Sequence, residues 1–328
     1  MSKINLVTGA NGHLGNNLVR ALLDRGEMVR ASVRNPNNRA PFEGLDCEIV
    51  QADLMDKSSL LRAMEGVDTL YQVAAVFKHW SPNPQKEIIE PNSQGTRNVL
   101  EAAAEQGVRR VIYVSSEGAM DSHTSPIDET SWKTNFHGNP YFQSKTETEQ
   151  LALTLGKALG LDLVTVLPGA IVGPNASYLT PTMDVLQQAL NNDVFVDINF
   201  SFNFVDARDV AAGMIGAAVN GRSGQRYLLA TEQPVNIRRI LELAREVKPD
   251  VKIPPRAPKW ALLVIASGME LAAKLTGKPP QLLRSQVKIF YDNPRIMKID
   301  KARSELGYDP QDGETAVKQA LTYLMEKG

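Results

Sequence analysis

The 328-residue sequence is short of cysteine, histidine, aromatics and surplus charge. Each shortage removes a class of function. The single cysteine, Cys47, can neither close an internal disulfide nor build a cysteine zinc site. It precedes the strand-like run Glu48-Ile49-Val50 and reads as a small apolar filler. Four scattered histidines make no metal-ligand cluster, so no metal site is expected. Lysine and arginine number 36 against 37 acidic residues, a net charge of −1. That balance gives no long-range pull towards nucleic acid or an anionic membrane and leaves only local patches. The most apolar stretch, Trp260 to Leu275, falls short of the roughly 20 residues that span a bilayer, and Glu270 interrupts it. Met1 to Val7 lacks the extended apolar core and cleavage site of a secretory signal. A cytoplasmic protein without membrane insertion is expected. There is no internal repeat or low-complexity segment.

What remains is an alternation of short apolar runs with helical periods. Ile4–Thr8, Met28–Arg34, Glu48–Val50, Thr69–Ala74, Val108–Ser115 and Leu161–Leu167 read as strands. His13–Arg25, Lys57–Met64, Gln85–Gln106 and Tyr141–Leu159 read as helices between them. That order predicts an α/β fold, a doubly wound parallel sheet of Rossmann type. After Pro168 the alternation loosens. Phe202–Val205 and Gln225–Ala230 read as further strands, with Arg208–Val219 helical between them, and Asp300–Leu306 and Glu314–Met325 as terminal helices. The expected division is a dinucleotide-binding domain over 1–170, with 202–230 returning to it. A smaller mixed α/β substrate lobe with C-terminal helices would take 171–201 and 231–328.

Thr8-Gly9-Ala10-Asn11-Gly12-His13-Leu14-Gly15 follows the first strand and opens the first helix. Glycines spaced by three allow a tight turn, close backbone approach to a pyrophosphate and close helix–strand packing. The helix N-terminus adds free N–H groups and a positive dipole end. This context raises a weak motif to an expected dinucleotide site. His13 reads as part of the turn rather than as a catalytic base.

The end of the second strand bears on which dinucleotide binds. Val33-Arg34-Asn35-Pro36-Asn37-Asn38-Arg39 has no acid there to bond ribose hydroxyls. Arg34 can clamp a 2′-phosphate, which favours NADP(H) and leaves NAD(H) possible. Asp53-Leu54 follows the third strand. Asp53 reads equally as an acceptor for the adenine amino group, with Leu54 packing on the ring, or as the N-cap of the next helix.

Tyr141 and Lys145 share a helix face at a spacing of four. A nearby ammonium favours the phenolate, so Lys145 is expected to lower the tyrosine pKa from its usual value near 10. Ser115-Ser116 ends a strand at the edge where parallel sheets place ligands. The spacing alone is weak: Tyr323 and Lys327 repeat it.

With these residues in place, the chain resembles an extended short-chain dehydrogenase/reductase, most closely the dihydroflavonol-reductase-like branch. The matching stretches are Thr8–Gly15, Val33–Pro36, Asp53-Leu54, Val73-Ala74-Ala75, Asn92–Thr96, Ser115-Ser116, Tyr141–Lys145, Leu167–Pro174, Phe204–Val210 and Lys301–Tyr308. The resemblance implies NADPH-dependent carbonyl reduction. Tyr141 would give the proton, Lys145 would tune it and bond the nicotinamide ribose, and Ser116 would orient the substrate oxygen, with Ser115 less favoured. Asn92 would serve a structural or relay part. Val73, Ala74, Ala75, Pro168, Ala170 and Ile171 would lie along the cofactor. It also implies a homodimer face on the helices 85–106 and 141–159.

The aromatic loop Val76-Phe77-Lys78-His79-Trp80 suggests cover for an apolar carbonyl or alcohol substrate. Phe77, Trp80, Glu117, Met120, Tyr178 and Phe202 are the candidate lining residues. Two alternatives stand beside the reductase: a nucleotide-sugar or sugar epimerase/dehydratase holding NAD(P), and a non-catalytic NADP-sensing regulator. The absence of a Tyr-Gly pair after Ser116 lowers the epimerase reading. Arg222, Arg226 and Arg284 are its candidate diphosphate clamps. The intact Ser/Tyr/Lys set opposes the regulator.

Overall fold

The computed structural model describes residues 3–121 and 125–327. Met1 and Ser2, the start of the N-terminal stretch read above, lie outside them. The first half runs β1 (Ile4–Thr8), α1 (His13–Asp24), β2 (Met28–Val33), β3 (Glu48–Gln51), α2 (Lys57–Met64), β4 (Val67–Gln72), α3 (Glu90–Glu105), β5 (Arg110–Val114), α4 (Pro140–Ala158) and β6 (Leu163–Pro168). Then follow β7 (Ala170–Val172), α5 (Pro181–Asn191), β8 (Ser201–Phe202), β9 (Phe204–Asp206), α6 (Ala207–Asn220), β10 (Arg226–Leu229) and β11 (Val235–Asn236). Five helices complete the chain: α7 (Ile237–Val247), α8 (Lys259–Thr276), α9 (Arg284–Phe290), α10 (Asp300–Leu306) and α11 (Gly313–Lys327).

Seven strands form one parallel sheet in the order β3-β2-β1-β4-β5-β6-β10. The order reverses between β1 and β4, the topological switch point at which open α/β sheets receive ligands. Side-chain alternation on β5 explains the two layers. Ile112 and Val114 join the core with Leu14, Leu18 and Leu22 of α1 and Met214 of α6. Val111 and Tyr113 join the opposite core with Leu60 and Met64 of α2 and Val99 and Leu100 of α3. Each face is buried, so the strands carry near-continuous apolar runs.

A third core holds the remaining lobe together, with Leu186 of α5, Ile240 of α7, Leu262 of α8, Phe290 of α9 and Val317 of α11. The strand read over Thr69–Ala74 stops at Gln72. Ala74 instead lies under the glycine turn: a Cβ on Gly9 would come within 3.0 Å of its Cα. Gln85–Ile89 forms a single π turn ahead of α3 rather than regular α-helix.

Candidate active site

The switch point is fastened by Thr8, at the C-terminal end of β1. Its Oγ1 accepts from the N–H groups of Val73 (2.9 Å) and Ala74 (3.1 Å) and donates to Gln72 Oε1 (2.8 Å). One hydroxyl thus locks the loop after β4 against the glycine turn. Gly9 adopts φ +63°, and a Cβ on Gly15 would lie 2.3 Å from the Gly9 carbonyl oxygen. The first and third glycines are therefore required by backbone conformation and contact. Gly12 caps α1 in extended conformation without a side-chain cap, leaving N–H groups at the helix start.

His13 is buried, and its ring nitrogen Nε2 bonds the Gly173 carbonyl at 3.0 Å. Burial, partly offset by that bond, holds its pKa below the usual value. Asn17 donates to the His13 and Pro174 carbonyls, Asn175 donates to Asn17, and Ser177 donates to the Asn11 carbonyl. The loop after β7 thereby lies across the glycine turn. Tyr178 belongs to this loop: it is exposed, with its hydroxyl close to Gly12.

Arg34 is exposed at the end of β2 and makes no ion pair with the described residues. Asp53 is not a helix cap. Its Oδ1 accepts from Met55 N, while Asp56 caps α2 by accepting from Ser58 and Ser59 N–H. The cap expectation fails by three residues, because Asp53 closes a local turn before the helix starts. Leu54 packs against Gly95 and lines the cleft beside Ala74 and Ala75.

Tyr141 stands in the first turn of α4. Asn139 caps that helix by accepting from Tyr141 N at 3.0 Å, and Pro140 fills its first position. Tyr141 Oη donates to Ser116 Oγ at 3.0 Å, and Gly118 N donates to the same oxygen at 3.0 Å. With two bonds accepted, the Ser116 hydroxyl hydrogen is left to donate. Ser115 faces elsewhere: its Oγ donates to Glu149 Oε2 at 2.6 Å.

Lys145 lies one turn after Tyr141 and lines a narrow cleft with Leu54, Gln72, Ala75, Asn92 and Tyr113. Its amine has no hydrogen-bond or ion-pair partner among the described residues. Burial lowers its pKa to about 8, partly opposed by the Glu149 carboxylate. Tyr141 moves opposite to the sequence expectation. Burial pushes it up to about 12, the Ser116 bond offsets part of that, and the Glu117 carboxylate adds to it. Aromatic packing supplies the burial: the Tyr141 ring centroid is 4.9 Å from Phe77 and 4.5 Å from His79.

The remaining candidates divide. Asn92 binds both backbone groups of Val76 (2.7 and 3.1 Å) and donates to Ser144 Oγ at 2.9 Å, tying the aromatic loop to α4. Phe77 is exposed and Trp80 half-buried. Pro168, Ala170 and Ile171 stand at the end of β6 and the start of β7, which pairs with β9. Phe202 is separated from Tyr141 by Phe290 and Phe142, in a chain of rings 4.9 to 6.0 Å apart. One lining assignment needs correction: Met120 is 1% exposed, a core residue. Glu117 pairs with Arg295 at 3.1 Å through one carboxylate oxygen, and the other has no hydrogen-bond partner among the described residues.

Asn139 and Arg295 have no role in the sequence reading, and His79 and Thr8 enter it only as members of the aromatic loop and the glycine stretch. Burial lowers the pKa of His79 to about 4. Only Asn139 had a local signal, the Asn-Pro start of a helix.

The comparisons with known proteins agree with this geometry. The sequence profile of the NAD dependent epimerase/dehydratase family matches residues 5–230. The chain belongs to that family. It is an NAD(P)-dependent oxidoreductase acting on CH–OH and carbonyl groups. The sterol demethylase protein B of Methylococcus capsulatus is 32% identical over 98% of each chain. A putative dihydroflavonol 4-reductase of Synechocystis is 32% identical over 96% of this chain and 91% of its own. The crystal structure of gox2253 superposes with a TM-score of 0.85 at 30% identity, covering 100% of this chain and 99% of that one. The parallel-sheet architecture and the dihydroflavonol-reductase-like resemblance are therefore secure. The family binds NAD(P).

Proposed function

We propose that the protein is an NADP(H)-preferring reductase of an aldehyde or ketone carbonyl on a small, moderately apolar substrate, able to run the reverse alcohol oxidation. The observation that carries this reading is the Tyr141–Ser116 hydrogen bond at 3.0 Å, beside a Lys145 amine with no partner among the described residues. The residues suit the cofactor. The cleft wall at Ala74 packs under Gly9 of the glycine turn, and the Lys145 amine that lines the cleft has no partner among the described residues. Arg34 is exposed at the β2 end, where a 2′-phosphate would be read. Bound NADPH supplies the hydride that reaches the carbonyl carbon.

The chain's own residues do the rest. Ser116 donates to the carbonyl oxygen and holds it beside Tyr141. Tyr141, protonated at neutral pH because its pKa is about 12, delivers the proton to that oxygen. Lys145, largely ammonium at neutral pH with a pKa of about 8, holds the nicotinamide ribose hydroxyls. Phe77 and His79 exclude water from the phenol. Asn92 keeps their loop on α4.

The nucleotide-sugar reading draws less support. Its three candidate clamps are engaged: Arg222 with Glu305, Arg226 with Glu149 and Arg284 with Glu270. The substrates named for relatives, a sterol and a dihydroflavonol, are ring systems of the apolar kind proposed here. The test is a carbonyl panel with NADPH absorbance as readout, run on the native protein and on Tyr141→Phe. Native turnover with at least about a hundredfold loss in the variant supports the proposal. Undiminished turnover in Tyr141→Phe refutes it.

A further inference from the structure

Helix α8 is apolar on both sides. Its inner face, Leu262, Ala266 and Ala273, is buried against the substrate lobe. Its outer face carries Trp260, Val264, Leu271 and Leu275, which are 70%, 65%, 61% and 81% exposed. At 100° per residue these four lie within about 60° of arc, opposite the buried three. A helix with apolar residues all round normally belongs in a core or a membrane. Here one side faces outward. The patch continues past the helix: Phe195, 84% exposed, stands two residues before Asp197, whose backbone pairs with Arg256 and Ala257 just ahead of α8.

The charge around the patch is one-sided. Residues 252–288 contain seven basic residues and one acid, in a chain whose net charge is −1. The acid, Glu270, is neutralised by Arg284 at 2.7 Å. Lys274, Lys278 and Lys288 are exposed and have no acidic partner among the described residues. Lys259, at the helix start, leans over the Tyr291 ring. No helix among the described residues is long and apolar enough to cross a membrane.

We propose that α8 docks this protein on an anionic lipid bilayer, lying in the interface plane with its outer stripe among the acyl chains. Lysine ammonium groups would meet lipid phosphates, and Trp260 would sit at headgroup level. Two observations select lipid over a second copy of the chain: the lysine rim is single-signed, and two such rims facing each other would repel. Docking would place the bilayer over the lobe that carries Phe290, next to the rings leading to Tyr141. The inference is independent of the reductase reading, because its readouts require no turnover.

The test is sedimentation with vesicles of phosphatidylcholine and phosphatidylglycerol, against phosphatidylcholine alone. The native protein is expected to pellet with the anionic vesicles and to be released by salt. Leu271→Ser with Leu275→Ser should lower binding at least about tenfold. Lys274→Gln with Lys278→Gln should lower it about fivefold per lysine. Trp260→Phe should still pellet while losing the blue shift of tryptophan emission seen on docking. Thermal melts of each variant matching the parent show that the fold is kept. Native protein that stays in solution with both vesicle types overturns the proposal, as does equal pelleting of the Leu271/Leu275 variant. A native mass of two chains by light scattering, halved in that variant without vesicle binding, assigns the face to self-association and also overturns it.

Discussion

Ser115 and Glu149 share a hydrogen bond of 2.6 Å in the interior, while the next residue, Ser116, shares one of 3.0 Å with Tyr141. Two adjacent serines thus have different employments. Ser116→Ala is expected to lower kcat by about a hundredfold or more, the typical effect of removing one donor from a developing oxyanion. Ser115→Ala should leave kcat within a few-fold and reduce stability by about 1–3 kcal/mol, because a buried acceptor loses its partner. Steady-state kinetics and urea denaturation of both variants check this. An equal kcat loss in both would contradict the division.

Glu149 is also the partner of Arg226, and neither side chain is more than 7% exposed. Arg226 lies 3.7 Å over the Trp132 ring and donates to the Glu129 and Ser131 carbonyls. Glu149→Ala would leave a guanidinium buried without its counter-charge. The expected cost is about 3–5 kcal/mol, read from the denaturation midpoint. Leucine at both 149 and 226 should recover much of that loss, since it removes both charges.

His79 makes stability pH-dependent on the acid side. Its folded pKa is about 4, below the roughly 6.5 of an unfolded histidine, so the unfolded chain binds the extra proton between those values. Stability therefore rises with pH across that window and falls as pH is lowered through it. The slope for this group is at most about 1.4 kcal/mol per pH unit. His79→Gln should flatten the dependence of melting temperature on pH between about pH 4 and 6.5. An unchanged slope would mean the ring is hydrated in solution.

Arg34 stands exposed at the β2 end with no ion-pair partner among the described residues, so its removal should cost little stability. Arg34→Ala is expected to raise KM for NADPH by at least about tenfold, with KM for NADH little changed, as loss of a charge-assisted phosphate contact requires. Equal KM values for both cofactors in the native enzyme would dismiss the NADP(H) preference.

The parallel sheet and its flanking helices are legible because the central strands β1, β4, β5 and β6 are buried on both faces and helices such as α1 and α2 carry one apolar stripe. The candidate site is legible where chemistry sits at chain punctuation: glycines after β1, Ser116 after β5, Tyr141 at the head of α4. Contacts between distant segments are not. Nothing near His79 signals that it packs on a tyrosine 62 residues later. Nothing near Glu117 names Arg295 as its partner. The direction of the Tyr141 shift is hidden for the same reason, since burial among distant side chains outweighs the Ser116 hydrogen bond. In the sequence, Trp260–Leu275 reads only as an apolar stretch too short to span a bilayer. Its two apolar faces cannot be told apart until one of them is packed.

Strand β10 completes the sheet from position 226, and it brings the guanidinium that balances Glu149 within the fourth helix. The first half of the chain is therefore not an excisable module. A fragment ending near residue 170 would expose the edge of β6 and strand a carboxylate in its own interior. The first half takes its last strand and its buried counter-charge from chain that lies beyond it, as far as Leu229.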